Sequence, residues 1–280
     1  MKMHRWPSFL LLAFVASLSP SISTAQTTEA HTEVELGVLS YKAGEYEEAI
    51  QHFQRAVATD PNNINARMYL ATAYGQEYMP GADTRDNVRL GELAIEQYQK
   101  VMEIDDHNMN AIKGAAYLEL TRKKFQAARK LYQRASEVDP NDPEPYYSVG
   151  VIDWTQTYRP RMAVRAKLGL KPEQGLIQHP ECWQIRDRNK ALVEEGMEVL
   201  KKAIDLRHDY DDAMAYMNLM YRERADIQCG DTKAQASDLK AADDWVDMTL
   251  AIKKRKAEHE AGQPRFETPK VDFSTAPNPQ

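Results

Sequence analysis

The side chains of this chain that could be drawn around a metal ion are His179, Cys182 and His208. His179 and Cys182 stand together in HPEC, with His208 further along, but no second ligand pair follows at a metal-binding spacing. Asp153 beside Trp154 has the type of a buried carboxylate, and its context fits a helix end or a hydrogen-bonding role. The acidic pairs Glu47-Glu48, Glu194-Glu195 and Asp243-Asp244 read as solvated helix faces. Phosphate-binding loops of the type GxxxxGK[ST], GxGxxG turns, GxSxG elbows and HExxH zinc helices are all missing. The sequence therefore offers no catalytic set and calls for no cofactor, which makes a binding role the expectation and an enzyme the weakest reading. One stretch departs from the rest. Residues 158–171, YRPRMAVRAKLGLK, carry Arg159, Arg161, Arg165, Lys167 and Lys171 without one acidic residue. Such a reversal of sign suits either an anionic partner or the chain's own acidic helices.

The elements that would position these groups are helical. Hydrophobic residues make up 42% of the chain, enough for a core, while glycine is scarce and strand-like alternation is rare. With 36 basic and 42 acidic residues the net charge is −6, which argues against general nucleic-acid binding. Residues 1–25 have the form of a secretory signal peptide: Lys2 and Arg5, an apolar run from Phe9 to Leu18, then Ser23-Thr24-Ala25. Cleavage would leave Gln26 first. The apolar run is too short for a spanning helix, which needs roughly 20 residues, and no second stretch is long enough. The expectation is an exported protein, periplasmic or extracellular, without a transmembrane segment after cleavage. Such compartments are oxidising, which matters for the two cysteines.

The chain also repeats itself. Residues 35–63 align with 115–142, so that Ala49, Phe53, Ala56 and Pro61 fall at the same offsets as Ala128, Tyr132, Ala135 and Pro140. The small residues would let two helices approach, the aromatic would fill the space between them, and the proline would end the second helix. This pattern resembles the tetratricopeptide repeat family, in which 34-residue helix pairs stack because none can bury its apolar face alone. In this register repeats lie near 30–63, 64–108, 109–142, 143–210 and 211–256. Ala94, Tyr98 and Val101 take the key places in the second, Gly196, Leu200 and Ala203 in the fourth, and Ala241, Trp245 and Met248 in the fifth. A residue often tryptophan in the family is Glu33, Arg67, Ile112, Tyr146 and Met214 here, and Asp106 and His208 replace the terminal proline. The resemblance implies an all-α, right-handed solenoid of about five helix pairs over residues 26–256, with insertions in repeats two, four and five. Residues 257–280, rich in proline and polar side chains, read as a disordered tail.

What the resemblance implies for function is a scaffold or adaptor that binds a protein or peptide outside the cytoplasm. In such arrays the first helices line a concave face, which here includes Tyr41, Tyr117, Tyr147 and Trp154 as aromatic anchors. The Lys/Asn clamp with which some members hold a C-terminal carboxylate is not matched. The alternative is a structural subunit of an envelope assembly or transport complex, using the outer edge and the insertions. Insertions of adjacent repeats emerge side by side in a solenoid, so Cys182 and Cys229, one in each of the last two, are expected to form a disulfide.

Overall fold

A computed structural model describes residues 21–171 and 174–262. The core of the signal-peptide reading and most of the tail lie outside them. Among the described residues there are ten helices and no strand. They are α1 (Ser21–Ala43), α2 (Tyr46–Thr59), α3 (Ile64–Glu77), α4 (Arg85–Ile104), α5 (Met109–Thr121), α6 (Phe125–Val138), α7 (Pro143–Lys167), α8 (Glu181–Leu206), α9 (Asp211–Asp226) and α10 (Thr232–Gly262). None of the described helices is long and apolar enough to cross a membrane. The chain forms two compact units that divide within α5, one ending at Leu118 and the other starting at Glu119.

The same local chemistry builds each hairpin. In repeats one and three the turn within the pair passes through a left-handed residue, Gly44 (φ 82°) and Lys123 (φ 60°). There the backbone N–H of Glu45 reaches Ser40 O (2.9 Å) and that of Lys124 reaches Glu119 O (2.8 Å), closing the exposed carbonyls of the first helix. Between repeats, Asp60, Asp105 and Asp139 leave the helix in extended geometry. Each carboxylate accepts from the backbone N–H two residues on, in Asn62, His107 and Asn141. Asn63 and Asp142 then cap α3 and α7, accepting from Ala66 N and Glu144 N, and Pro143 sits at the first turn of α7, where a missing N–H costs nothing.

Packing follows the repeat offsets. Ala49, Phe53 and Ala56, Ala94, Tyr98 and Val101, Ala128, Tyr132 and Ala135, and Leu200 and Ala203 are all buried. The aromatic or leucine of three repeats lies against a glycine of a first helix. A Cβ on Gly37 would stand 2.5 Å from Phe53, one on Gly114 2.5 Å from Tyr98, and one on Gly150 2.5 Å from Leu200. At two of the five positions where tryptophan is replaced, polar side chains tie the pair instead. Glu33 on α1 accepts from His52 (2.7 Å) and Arg55 (3.0 Å) of α2, and Arg67 on α3 donates to Gln97 of α4 (2.7 Å).

Three sequence expectations need correction. In repeat five the buried positions of α10 are Asp238, Ala242 and Thr249, with Trp245 and Ile252 packed on the core. Trp245 thus holds its expected place, while Ala242 and Thr249 are buried one residue after Ala241 and Met248, the latter 42% exposed. This helix packs along a narrow stripe on α9, and the pattern 238, 242, 245, 249, 252 follows that stripe. Helix α10 also continues to Gly262, past the expected start of the tail. Lastly, the insertion of repeat four does not simply interrupt two short helices but is largely helix itself: α7 and α8 run 25 and 26 residues, separated only by 168–180. Pro160 lies inside α7, where its ring and missing N–H disturb the preceding carbonyls; Asn189 of α8 donates to one of them, Thr157 O, at 2.9 Å. In repeat two the segment 78–84 is held by buried Asn87, which accepts from Met79 N (2.7 Å) and donates to Met79 O and Ala82 O (both 2.8 Å).

Candidate partner-binding faces and charged cluster

In the first unit the first helices present a mixed surface. Tyr41 on α1 is half-buried, its ring 5.2 Å from that of Tyr46. Thr72 on α3 is half-buried too, its hydroxyl 3.5 Å from the Tyr98 hydroxyl. Tyr117 on α5 is 59% exposed, the most open aromatic on these helices. The sequence pattern did not single out Tyr69, which stacks on Phe53 with ring centroids 5.4 Å apart and is still 44% exposed. Its only signal in sequence was an aromatic side chain on a first helix.

In the second unit Tyr147 and Trp154 have a different environment. Tyr147 packs on Tyr210 (4.9 Å) and edge-on to Tyr216 (5.7 Å). Trp154 lies against Tyr158 (4.9 Å) and edge-on to Tyr216 (5.4 Å). Both are half-buried against the core shared by α7, α8 and α9, so they join repeats as well as lining a face. Burial pushes the phenols of Tyr147, Tyr210 and Tyr216 up, so these hydroxyls stay protonated at neutral pH.

The basic stretch divides in two. Arg159, Lys167 and Lys171 have exposed side chains. Arg161 and Arg165 point inward from α7 to α9. Arg161 meets Glu223 (2.8 Å) and Asp226 (2.6 Å), and Arg165 meets Asp226 (2.9 Å) and donates to Lys171 O (2.8 Å). For these two the partner is the chain's own acidic helix. Glu223 is almost wholly buried, and burial pushes its carboxyl up to about 7, with Asp226 adding to the rise and Arg161 and Arg165 opposing it. Glu223 and Asp226 escaped the sequence reading. Their one visible signal was an i, i+3 acidic pair near the end of α9.

A disulfide joins Cys182 to Cys229, with Cα atoms 5.6 Å apart. It sits in a small core with Leu176, against Val164, Leu168 and Leu170. Gly230 N donates to Ile177 O (2.9 Å), and Leu176 N to Asp226 (3.3 Å), so Leu176 and Ile177 are tied to the end of α9 and the turn after it. The Cys182 sulfur is thereby committed to a covalent bond and is no metal ligand. Asp153 is not at a helix end but in the middle of α7, fully buried and paired with Arg129 of α6, which also holds Glu195 (2.6 Å).

The family description "TPR repeat" matches residues 37–77, which cover the end of α1, all of α2 and α3. Residues 37–77 thus carry the signature of a tetratricopeptide repeat. Its fold resembles that of MamA, with a TM-score of 0.56 at 16% identity, covering 84% of this chain and 98% of that one. MamA 41-end from Desulfovibrio magneticus RS-1 gives 0.55 at 14% identity, covering 81% and 97%. YrrB, described as a TPR protein with an unusual peptide-binding site, gives 0.51 at 14%, covering 85% and 100%. At these identities the likeness is one of fold. No curated protein sequence matches this chain.

Proposed function

We propose that this TPR protein is a non-enzymatic scaffold or adaptor that binds a protein or peptide partner outside the cytoplasm. The observation that carries the reading is the set of open or half-open aromatic rings on first helices, led by Tyr117 at 59% exposure. Exposed aromatics set among polar groups are the composition of a recognition surface. The likeness in fold to YrrB, whose description names a peptide-binding site, supports the same direction. Location outside the cytoplasm is supported by the leader-like N-terminus and by the Cys182–Cys229 disulfide, since such bonds persist in oxidising compartments.

The test is site-specific photo-crosslinking in the cells that make the protein. A photoreactive residue at Tyr117 or Trp154 should trap one defined partner, and one at exposed Lys130 on second helix α6 should not. Equal trapping from all three positions, or none from the first two, overturns the reading. A second reading, a structural subunit of an envelope assembly, is favoured by Leu39 on α1 and Leu250 on α10, 64% and 60% exposed on the first and last described helices. A native complex that loses its mass on Leu39→Glu or Leu250→Glu, with Tyr117→Ala harmless, would select it.

A further inference from the structure

A cavity of about 290 Å³ opens in the second unit between α7, α9, α10 and the segment 168–180. Its charged lining consists of Arg161, Arg165 and Arg222 against the single carboxylate of Asp226, in a chain whose net charge is −6. That carboxylate is already engaged: one oxygen accepts from both Arg161 and Arg165, the other from Leu176 N. Arg222 spends its Nε on Asn218 (2.9 Å) and its Nη2 on Asp243 (2.7 Å), which leaves Nη1 to donate elsewhere. Two amides add donors. Gln174 uses its Oε1 to accept from Lys171 N (2.8 Å), so its NH2 is uncommitted. The Gln235 amide nitrogen lies in the space a Cβ on Gly175 would take, 2.2 Å away, and both residues line the cavity. The remaining wall is apolar, with Met162 and Leu239 each 37% exposed and Leu170 resting on the disulfide core.

We propose that this cavity is a binding site for a carboxylate carried on a short apolar stem, held by Arg222 and the two glutamine amides with the stem against Met162, Leu170 and Leu239. Guanidinium donors suit a planar carboxylate, and charge-assisted bonds of this kind are the stronger class. The apolar wall favours this over a fully hydrated inorganic anion, which would leave it without a partner. The volume suits a ligand the size of a short carboxylic acid or one amino-acid side chain rather than a drug-sized molecule. The site is built in advance of binding, because the disulfide and the Gly230–Ile177 bond fix its floor, and pre-organisation lowers the cost of binding. Such a carboxylate comes either from a free small acid or from an acidic residue of a bound protein.

Isothermal titration of the disulfide-intact protein with hexanoate, hexylammonium, inorganic phosphate and the peptide acetyl-Leu-Leu-Glu-Leu-amide tests the site. Saturable binding of hexanoate or of the peptide is expected, with hexylammonium and phosphate silent. Hexanoate alone points to a free acid, and the peptide alone to a partner's side chain. Arg222→Gln should weaken binding about tenfold or more while the far-ultraviolet dichroism stays unchanged. Leu239→Glu, at an exposed position, should abolish it by placing a like charge in the cavity. Binding of hexylammonium as tight as that of hexanoate, binding of phosphate alone, or no heat from either carboxylate overturns the proposal. Affinity unaltered in Arg222→Gln and Leu239→Glu overturns it as well.

Discussion

Glu223 should make the stability of the second unit fall as pH rises from about 4.5 to about 7. Its carboxyl is pushed from 4.5 up to about 7 by burial inside the α7–α9 cluster. Between those values the folded chain holds a proton that the unfolded chain has released, so unfolding is favoured as pH climbs. Below the window both states are protonated and the effect is absent. Above it both are ionised and the full cost remains. A displacement of this size corresponds to about 3 kcal/mol, at 1.36 kcal/mol per unit. The assay is urea unfolding of the disulfide-intact protein at pH 5, 6, 7 and 8, followed by far-ultraviolet dichroism, for the wild type and for Glu223→Gln. The glutamine keeps the shape and cannot titrate, so the difference between the two proteins isolates this group from the histidines and other carboxyls. The wild type should lose stability relative to the variant by about 3 kcal/mol across the window. Parallel curves for the two proteins would refute the reasoning, as would a wild type that gains relative stability with rising pH.

Other outcomes follow from the packing. Gly150→Ala should destabilise by about 1–3 kcal/mol, because the added methyl meets Leu200 at 2.5 Å, and thermal unfolding measures it. Arg129→Met should cost about 3–5 kcal/mol in denaturant midpoint, since it strips the charge partner from Asp153, which is fully buried. Reduction of the disulfide should remove about 4 kcal/mol in the chain-entropy limit for a separation of 47 residues, and unfolded, unreduced protein should show no free thiol. Lys123→Gly should raise the unfolding midpoint by up to about 1 kcal/mol, since lysine occupies a left-handed φ of 60°.

The sequence by itself determined what depends on neighbours along the chain. Asp60, Asp105 and Asp139 close turns on residues two positions away, and Ala49, Phe53 and Ala56 set a helix face through spacing alone, so the helix pairs and their repeat could be read directly. The juxtaposition of adjacent repeats even brought Cys182 and Cys229 into consideration together. Only the tertiary structure decided what depends on distant segments. Arg161 and Arg165 suited an anionic partner or the chain's own acidic helices equally in type, and α9 decided it by placing Asp226 against them, 65 and 61 residues later. Tyr147 and Trp154 carried the same aromatic signal as Tyr117, yet Tyr216 packs against the first two while Tyr117 stays open. The choice of Ala242 over Ala241 in α10 was hidden because the two alanines stand side by side, and periodicity cannot choose between them without the surface of α9. A charge or ring declares its type in sequence, but its burial is a property of whatever the fold brings to it.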